Sequence, residues 1–439
     1  MLNLEIIPER NFLLKKTVNS SEVLIKVSGS EETSLSSLNR LPLNIAIVLD
    51  RSGSMSGHPL NEAKQSAKML IDRMNEDDRV SIITFDNRVD VIASNQHVTN
   101  KNFLKRKIDE IETGGMTALY DGWSVAVDQL INHVNDQTFS RIMLLSDGCA
   151  NQGLTDAKII CKEVAAQCEE GISTSTYGLG RNFNEELMTA MAKNGHGLAH
   201  YGQTADDLLD LFIEEFDLIS STIARRLRLR VRSEAGIRID LVNDFPVGEN
   251  GYFVLPDLAK DGQAWALFKI FIDRDDPRNK TDETTKILKS QVQYLDFHGE
   301  EKLSEWSSLS LKVAPLDKLE EIEINEEVRQ RSLELQAAKV YDRAQRAARY
   351  GDWETVDRLL VDLKSLGNDS PWIDASIEKI TQYAKTRQNE YFSKEASYSS
   401  SRLNSRLLSN SEILYSVDHE VSKPSYLRRK SEQGKRFGR

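Results

Sequence analysis

Ile45-Ala-Ile-Val-Leu-Asp-Arg-Ser-Gly-Ser54 decides how the rest of the chain is read. Its apolar residues run from Ile45 to Leu49 without alternation, the pattern of a strand buried on both faces of a parallel sheet. The run ends on a carboxylate, Asp50, and two hydroxyls follow, Ser52 and Ser54. Gly53 and Gly57 let the backbone turn tightly into the next helix. In open α/β sheets ligands gather beyond the carboxyl ends of the strands. Hard oxygen donors crowded onto such a turn suit a hard divalent cation such as Mg²⁺.

Outward from that stretch, residues 43–222 alternate strands and helices, as an α/β layer fold requires. Leu60, Ala63, Ala67, Leu70, Ile71 and Met74 fall on one helical face, and Val80 to Phe85 reads as the next strand. A short strand from Val89 to Ile92 is placed to pair antiparallel with it. Arg141 to Ser146 is a second buried strand that also runs into an acid, Asp147, and then Gly148. The loop Thr113-Gly-Gly-Met-Thr-Ala118 stands just before a helix, where its glycines can bring the Thr117 hydroxyl to the same crevice.

Asp50-x-Ser52-x-Ser54, Thr117 after a glycine pair, and Asp147-Gly148 after an apolar strand resemble the five-residue metal-ion-dependent adhesion site of von Willebrand factor A domains. Asp78-Arg79-Val80, Thr84-Phe85-Asp86 and Gly171 through Gly180 extend the resemblance across residues 43 to about 222. It implies a doubly wound, Rossmann-like fold with the two aspartates at the topological switch point. It also implies that Ser52, Ser54 and Thr117 ligate Mg²⁺ (or Mn²⁺ or Ca²⁺), with Asp50 and Asp147 bound directly or through water. One exchangeable position then remains for a partner's Asp or Glu.

Beyond the α/β unit the pattern changes. Residues 1–40 read as short strands, and 223–316 as further strands that alternate apolar and charged residues, together an antiparallel β-sandwich with the α/β unit inserted into it. Residues 317–390 read as a helical hairpin broken at Gly351-Asp352. Residues 391–439 read as a flexible tail, serine-rich and then basic, with too little apolar surface to offset ordering entropy.

At 439 residues the chain has room for several domains, and a net charge of −11 argues against non-specific nucleic-acid binding. The N-terminus lacks a basic region and a long apolar core, and no apolar run approaches the roughly 20 residues of a membrane span. Three cysteines, Cys149, Cys161 and Cys168, form no CxxC pair, which fits a reducing cytoplasm. By resemblance this points to bacterial intracellular members that act as adaptors with ATPases or kinase/phosphatase pairs.

Other readings compete. Asp50 and Asp147 taken singly can be read as helix N-terminal caps, and Ser52 and Ser54 as turn residues, a weaker reading for the five together. A phosphohydrolase of the haloacid-dehalogenase type needs a second acid two residues after the nucleophile, where this chain has Ser52. Arg225, Arg226, Arg228, Arg230 and Arg232 suggest RNA, as in ribonucleoprotein-associated relatives, but strand alternation puts three or four of them on one solvated face. His196 and His200 stand four apart beside helix-breaking glycines, which favours strand-end positions over a zinc site. Cys161 and Cys168 read as core thiols.

Overall fold

The computed structural model describes residues 2–29, 40–148, 150–260, 262–280, 283–316, 323–367 and 370–405. Three strands open the chain: β1 (Leu2–Pro8), β2 (Phe12–Leu14) and β3 (Asn19–Gly29). The α/β unit follows with β4 (Leu43–Asp50), α1 (His58–Arg73), β5 (Arg79–Phe85), β6 (Val89–His97), α2 (Lys101–Asp109) and α3 (Leu119–Leu130). It continues with β7 (Phe139–Ser146), α4 (Ala157–Glu169), β8 (Ile172–Leu179), α5 (Glu185–Asn194), β9 (His196–Gly202) and α6 (Leu208–Ser220).

The sheet order is β6-β5-β4-β7-β8-β9, parallel throughout except for β6, which runs antiparallel to β5. Every residue of β4 is buried because helices cover both faces. Ile45, Ile47 and Leu49 pack with α1, α2 and α6, whereas Ala46 and Val48 pack with α3 and α4. The period-2 side-chain alternation therefore feeds two cores, and neither face is left to be polar. Strand order reverses between β4 and β7, which opens a crevice beyond Asp50 and Asp147.

Eight strands follow: β10 (Thr222–Ser233), β11 (Arg238–Leu241), β12 (Phe253–Val254), β13 (Leu258–Ala259), β14 (Gln263–Ile272), β15 (Thr285–Asp296), β16 (Glu301–Leu303) and β17 (Ser307–Ala314). They form two sheets with the first three strands, β1-β3-β14-β11 and β12-β10-β15-β17-β2. β3 pairs with β14 from Asn19↔Ile272 to Ser28↔Gln263, so the segment before the α/β unit completes a sheet with a strand after it. The two sheets share one apolar core, with Val23, Ile25 and Phe268 from one and Leu229, Val292 and Leu311 from the other. Not every pairing is antiparallel as the sequence suggested: β2 lies parallel to β17. These two strands are far apart in sequence, so no tight turn imposes a direction on them.

The helical region also differs from the two-helix reading. It holds α7 (Glu326–Arg349), α8 (Trp353–Gly367), α9 (Pro371–Lys385) and α10 (Asn389–Ser405). The last of these occupies the start of the segment expected to be a flexible tail. Phe392, Ala396 and Leu403 pack into the helical core, and Ser393, Ser397, Ser399 and Ser400 are buried. Small serines let α10 approach its neighbours closely, and their hydroxyls find local acceptors, Ser393 Oγ on Asn389 Oδ1 at 3.1 Å and Ser399 Oγ on Glu395 Oε1 at 3.3 Å. The basic run Arg428 to Arg436 lies outside the described residues.

The helices bind to both other units. Val328 and Leu335 of α7 cover Leu24, Trp265 and Leu267, the outer face of the four-stranded sheet. Tyr398 of α10 stacks on Tyr201 of β9, ring centroids 5.4 Å apart. Lys394, buried, donates to Phe183 O at 3.0 Å and Glu185 Oε2 at 3.1 Å, which ties α10 to the start of α5.

Candidate metal centre

Asp50 ends β4, and its Oδ1 accepts the backbone N–H of Ser52 at 2.7 Å, which closes the turn after the strand. The loop is also tied to the 113–118 loop: Gly53 N donates to Gly115 O at 3.0 Å and Gly114 N to Arg51 O at 2.7 Å. Gly114 and Gly115 are needed for this approach. A Cβ on Gly114 would stand 1.7 Å from Asp86 Oδ2, and one on Gly115 1.9 Å from Asn87 Oδ1.

These bonds bring together the five residues singled out in the sequence. Ser52 Oγ and Ser54 Oγ lie 3.1 Å apart, and Ser54 Oγ donates to Asp147 Oδ1 at 2.7 Å. Thr117 Oγ1, Asp50 Oδ2 and Ser54 Oγ stand 3.0, 3.8 and 3.8 Å from the Cβ position that Gly148 leaves empty. Hydroxyls and carboxylates from three loops thus surround one point at the switch between β4 and β7. Asp50, Ser52, Thr117 and Asp147 are buried, whereas Ser54 reaches solvent.

The electrostatics are those of acids without a counter-charge. Burial pushes the Asp50 carboxyl up to about 6 despite hydrogen bonds from Ser146 and Ser52, and Asp147 adds like-charge repulsion. Burial raises Asp147 as well, against the Ser54 hydrogen bond. The adjacent guanidinium, Arg51, is committed elsewhere, to Asp86 at 3.2 Å and Asp90 at 2.5 Å. Burial would raise Asp86, but the Arg88 N–H and Arg51 outweigh it and lower the carboxyl. Buried paired acids with hydroxyl neighbours suit a divalent hard cation in donor type and in charge.

Sequence reasoning missed three supports. Ser146 Oγ donates to Asp50 Oδ2 at 2.5 Å and orients it. Asn151 and Thr117 exchange bonds, Thr117 N to Asn151 Oδ1 at 3.0 Å and Asn151 N to Thr117 O at 3.2 Å. Asn87 Oδ1 accepts Met116 N at 2.7 Å and holds the glycine loop. The one readable signal was Ser146, a hydroxyl closing an otherwise apolar strand.

The other candidates resolve individually. His196 and His200 lie in β9, and His200 is buried, with Nε2 2.6 Å from Glu215 Oε2. Cys161 and Cys168 are partly exposed free thiols, because their helix presents that flank between core and solvent. Cys149 lies outside the described residues. Arg228, Arg230 and Arg232 alternate along one outward face of β10, as the strand pattern suggested, whereas Arg225, ahead of the register shift, is buried. Arg225 donates to Thr138 O at 2.8 Å and Asp136 O at 2.5 Å, and Arg228 pairs with Glu169 at 3.3 Å. Arg230 lies 4.6 Å from the Tyr252 ring centroid and Arg232 5.4 Å from that of Trp306. Among the described residues no helix is long and apolar enough to cross a membrane.

Comparison with known proteins places this geometry. The family model "von Willebrand factor type A domain" matches residues 44–213. A Synechocystis protein named "Uncharacterized protein sll0103" is 34% identical over 182 residues, 42% of this chain and 43% of that one. "Uncharacterized protein YfbK" of Escherichia coli is 25% identical over 309 residues, 65% of this chain and 52% of its own. The chain thus spans about half the length, or less, of these curated relatives. Among solved structures, "von Willebrand factor type A from Catenulispora acidiphila" superposes with a TM-score of 0.71 at 15% identity, over 86% of this chain and 89% of that one. The "ArnB paralog VWA2 from Sulfolobus acidocaldarius" gives 0.59 at 18% identity, over 90% and 99%. At these identities the likeness is one of fold, and it runs across most of the chain. Residues 44–213 thus match the von Willebrand factor type A domain by sequence model, and the fold likeness to solved type A proteins extends beyond them.

Proposed function

We propose that this chain is a non-enzymatic binding module that captures a partner protein through a divalent cation. Asp50, Ser52, Ser54, Thr117 and Asp147 hold Mg²⁺, and Mn²⁺ or Ca²⁺ can substitute. The observation that supports the reading is the convergence of these five side chains, from three loops, on one point beside buried acids. Three of the donors are neutral hydroxyls, so the cation keeps residual positive charge, and Mg²⁺ retains exchangeable positions in its octahedron. An Asp or Glu of the partner supplies the missing negative oxygen. The two-sheet unit and the helices then serve as scaffold, as in a cytoplasmic bacterial adaptor to an ATPase or to a kinase/phosphatase pair.

A phosphohydrolase is disfavoured because Ser52 stands where a general acid would be required. RNA binding is disfavoured because four of the β10 arginines already contact groups within the chain. The test combines Mn²⁺ titration with crosslinking of bound partners in Mg²⁺ and in EDTA. Thr117→Ala should weaken cation binding at least about tenfold while stability stays within about 1 kcal/mol. Equal partner recovery with and without chelator removes the metal from the mechanism.

A further inference from the structure

A second cluster of metal-ligating side chains stands on the same end of the α/β unit, and it shares no residue with the centre around Asp50. His58 opens α1, and Glu62 follows one turn later on the same helix face. Asp206 comes from the turn after β9, where Thr204 and Asp207 cap each other and fix the backbone. One donor atom from each of the three lies within 4.8 Å of the other two. The imidazole sits between the acids, Nε2 3.0 Å from Asp206 Oδ1 and Nδ1 3.8 Å from Glu62 Oε1. β4 and β9 run in the same direction within the sheet, so both clusters lie beyond carboxyl strand ends.

We propose that His58, Glu62 and Asp206 form a second metal site, selective for a borderline transition ion such as Zn²⁺. One imidazole nitrogen and two carboxylate oxygens are a common three-ligand set for zinc, with the fourth position left to water. Bonds of about 2.0–2.2 Å put neighbouring donors of a tetrahedral zinc roughly 3.4 Å apart. Closing from the observed spread asks for rotation of the exposed His58 and Asp206 side chains toward the half-buried Glu62, with one ring nitrogen facing the ion. The imidazole sets this site apart from the all-oxygen centre, because Mg²⁺ and Ca²⁺ prefer oxygen. Binding would fasten the turn after β9 to the first turn of α1, which begins four residues after Ser54. The ion therefore bridges two elements that carry the domain's ligand-facing end.

The test is isothermal titration of ZnCl₂ into the full chain held in saturating Mg²⁺, read beside thermal denaturation. Wild type should bind one zinc equivalent that His58→Ala and Asp206→Asn each lose, and zinc should raise its Tm but not theirs. His58 and Asp206 are exposed, so these variants keep the fold, and their Tm without zinc verifies this. Thr117→Ala should retain the zinc equivalent, which separates this site from the Asp50 centre. Equal zinc binding by wild type and His58→Ala overturns the proposal, as does a wild type that binds no zinc equivalent.

Discussion

Glu215→Gln should destabilise the α/β unit strongly and in a pH-dependent way, without touching the cation centre. Glu215 lies on α6 with no exposed side-chain surface. One of its oxygens accepts from Arg141 Nη1 and from Ser175 Oγ at 2.8 Å, and the other is 2.6 Å from His200 Nε2. Burial alone would raise this carboxyl, but the Arg141 charge and the His200 and Ser175 hydrogen bonds hold it down at about 2, against an ordinary 4.5. That gap corresponds to about 3 kcal/mol of stability. Because the folded value is depressed, the contribution is complete above 4.5 and is lost as pH falls toward 2, with more than half gone by pH 3. Substitution by Gln also leaves the Arg141 guanidinium buried with only Asp257, 3.6 Å away, as a charged partner. Breaking a buried pair from one side costs about 3–5 kcal/mol.

Urea denaturation should therefore show a loss of about 3–5 kcal/mol at pH 7 that shrinks markedly by pH 3. Arg141→Met with Glu215→Leu should be milder than the two single changes added together, because neither partner is left unpaired. Arg141 is the third residue of β7 and Asp147 follows its other end, about 20 Å along the strand, so Mn²⁺ affinity should be unchanged in folded protein. A cost under about 1 kcal/mol at pH 7, or one that is the same at both pH values, refutes the reasoning.

Gly114→Ala should cost about 1–3 kcal/mol and weaken Mn²⁺ binding, because the new methyl displaces Asp86 from its bonds to Arg51 and Arg88; calorimetry and melting on one sample check both. Deleting residues 1–29 should strip β14 of β3, its longer partner, and speed tryptic cleavage at Lys269 and Arg274, and an unchanged digestion rate counts against the shared sheet. Lys394→Met should free α10 from the α5 terminus, read as faster hydrogen exchange across residues 389–405 while β4 and β7 stay protected.

Much of the α/β unit is legible along the chain because its signals are local. The run from Ile45 to Leu49 is uniformly apolar since two layers of helices cover β4, and Asp50, Ser52 and Ser54 share a single turn. Asp147 after its apolar strand and Thr117 after its glycine pair carried local marks too, but nothing local joined them to Asp50, and the family pattern did. Only pairing between loops, through Gly53 with Gly115 and Ser54 with Asp147, puts them beside Asp50. The serines of α10 misled for a physical reason: a small hydroxyl side chain suits a solvated linker and a tight helix contact equally, and its neighbours decide which. Of the β10 arginines only Arg225 escaped the alternating pattern, because a register shift between it and Arg228 changes which side it faces.

Composition and patterning by themselves determined the layer type, the strand that ends in the acid, and the hydroxyl donors on its turn. Tertiary structure decided the rest: the convergence of three loops, the pairing of β3 with β14 across the inserted unit, and the burial of Glu215 beside Arg141. Local patterns report which face of an element prefers oil or water. Which distant element supplies the opposing surface depends on packing of the whole chain, and that is set by contacts between residues with no sequence relation to one another.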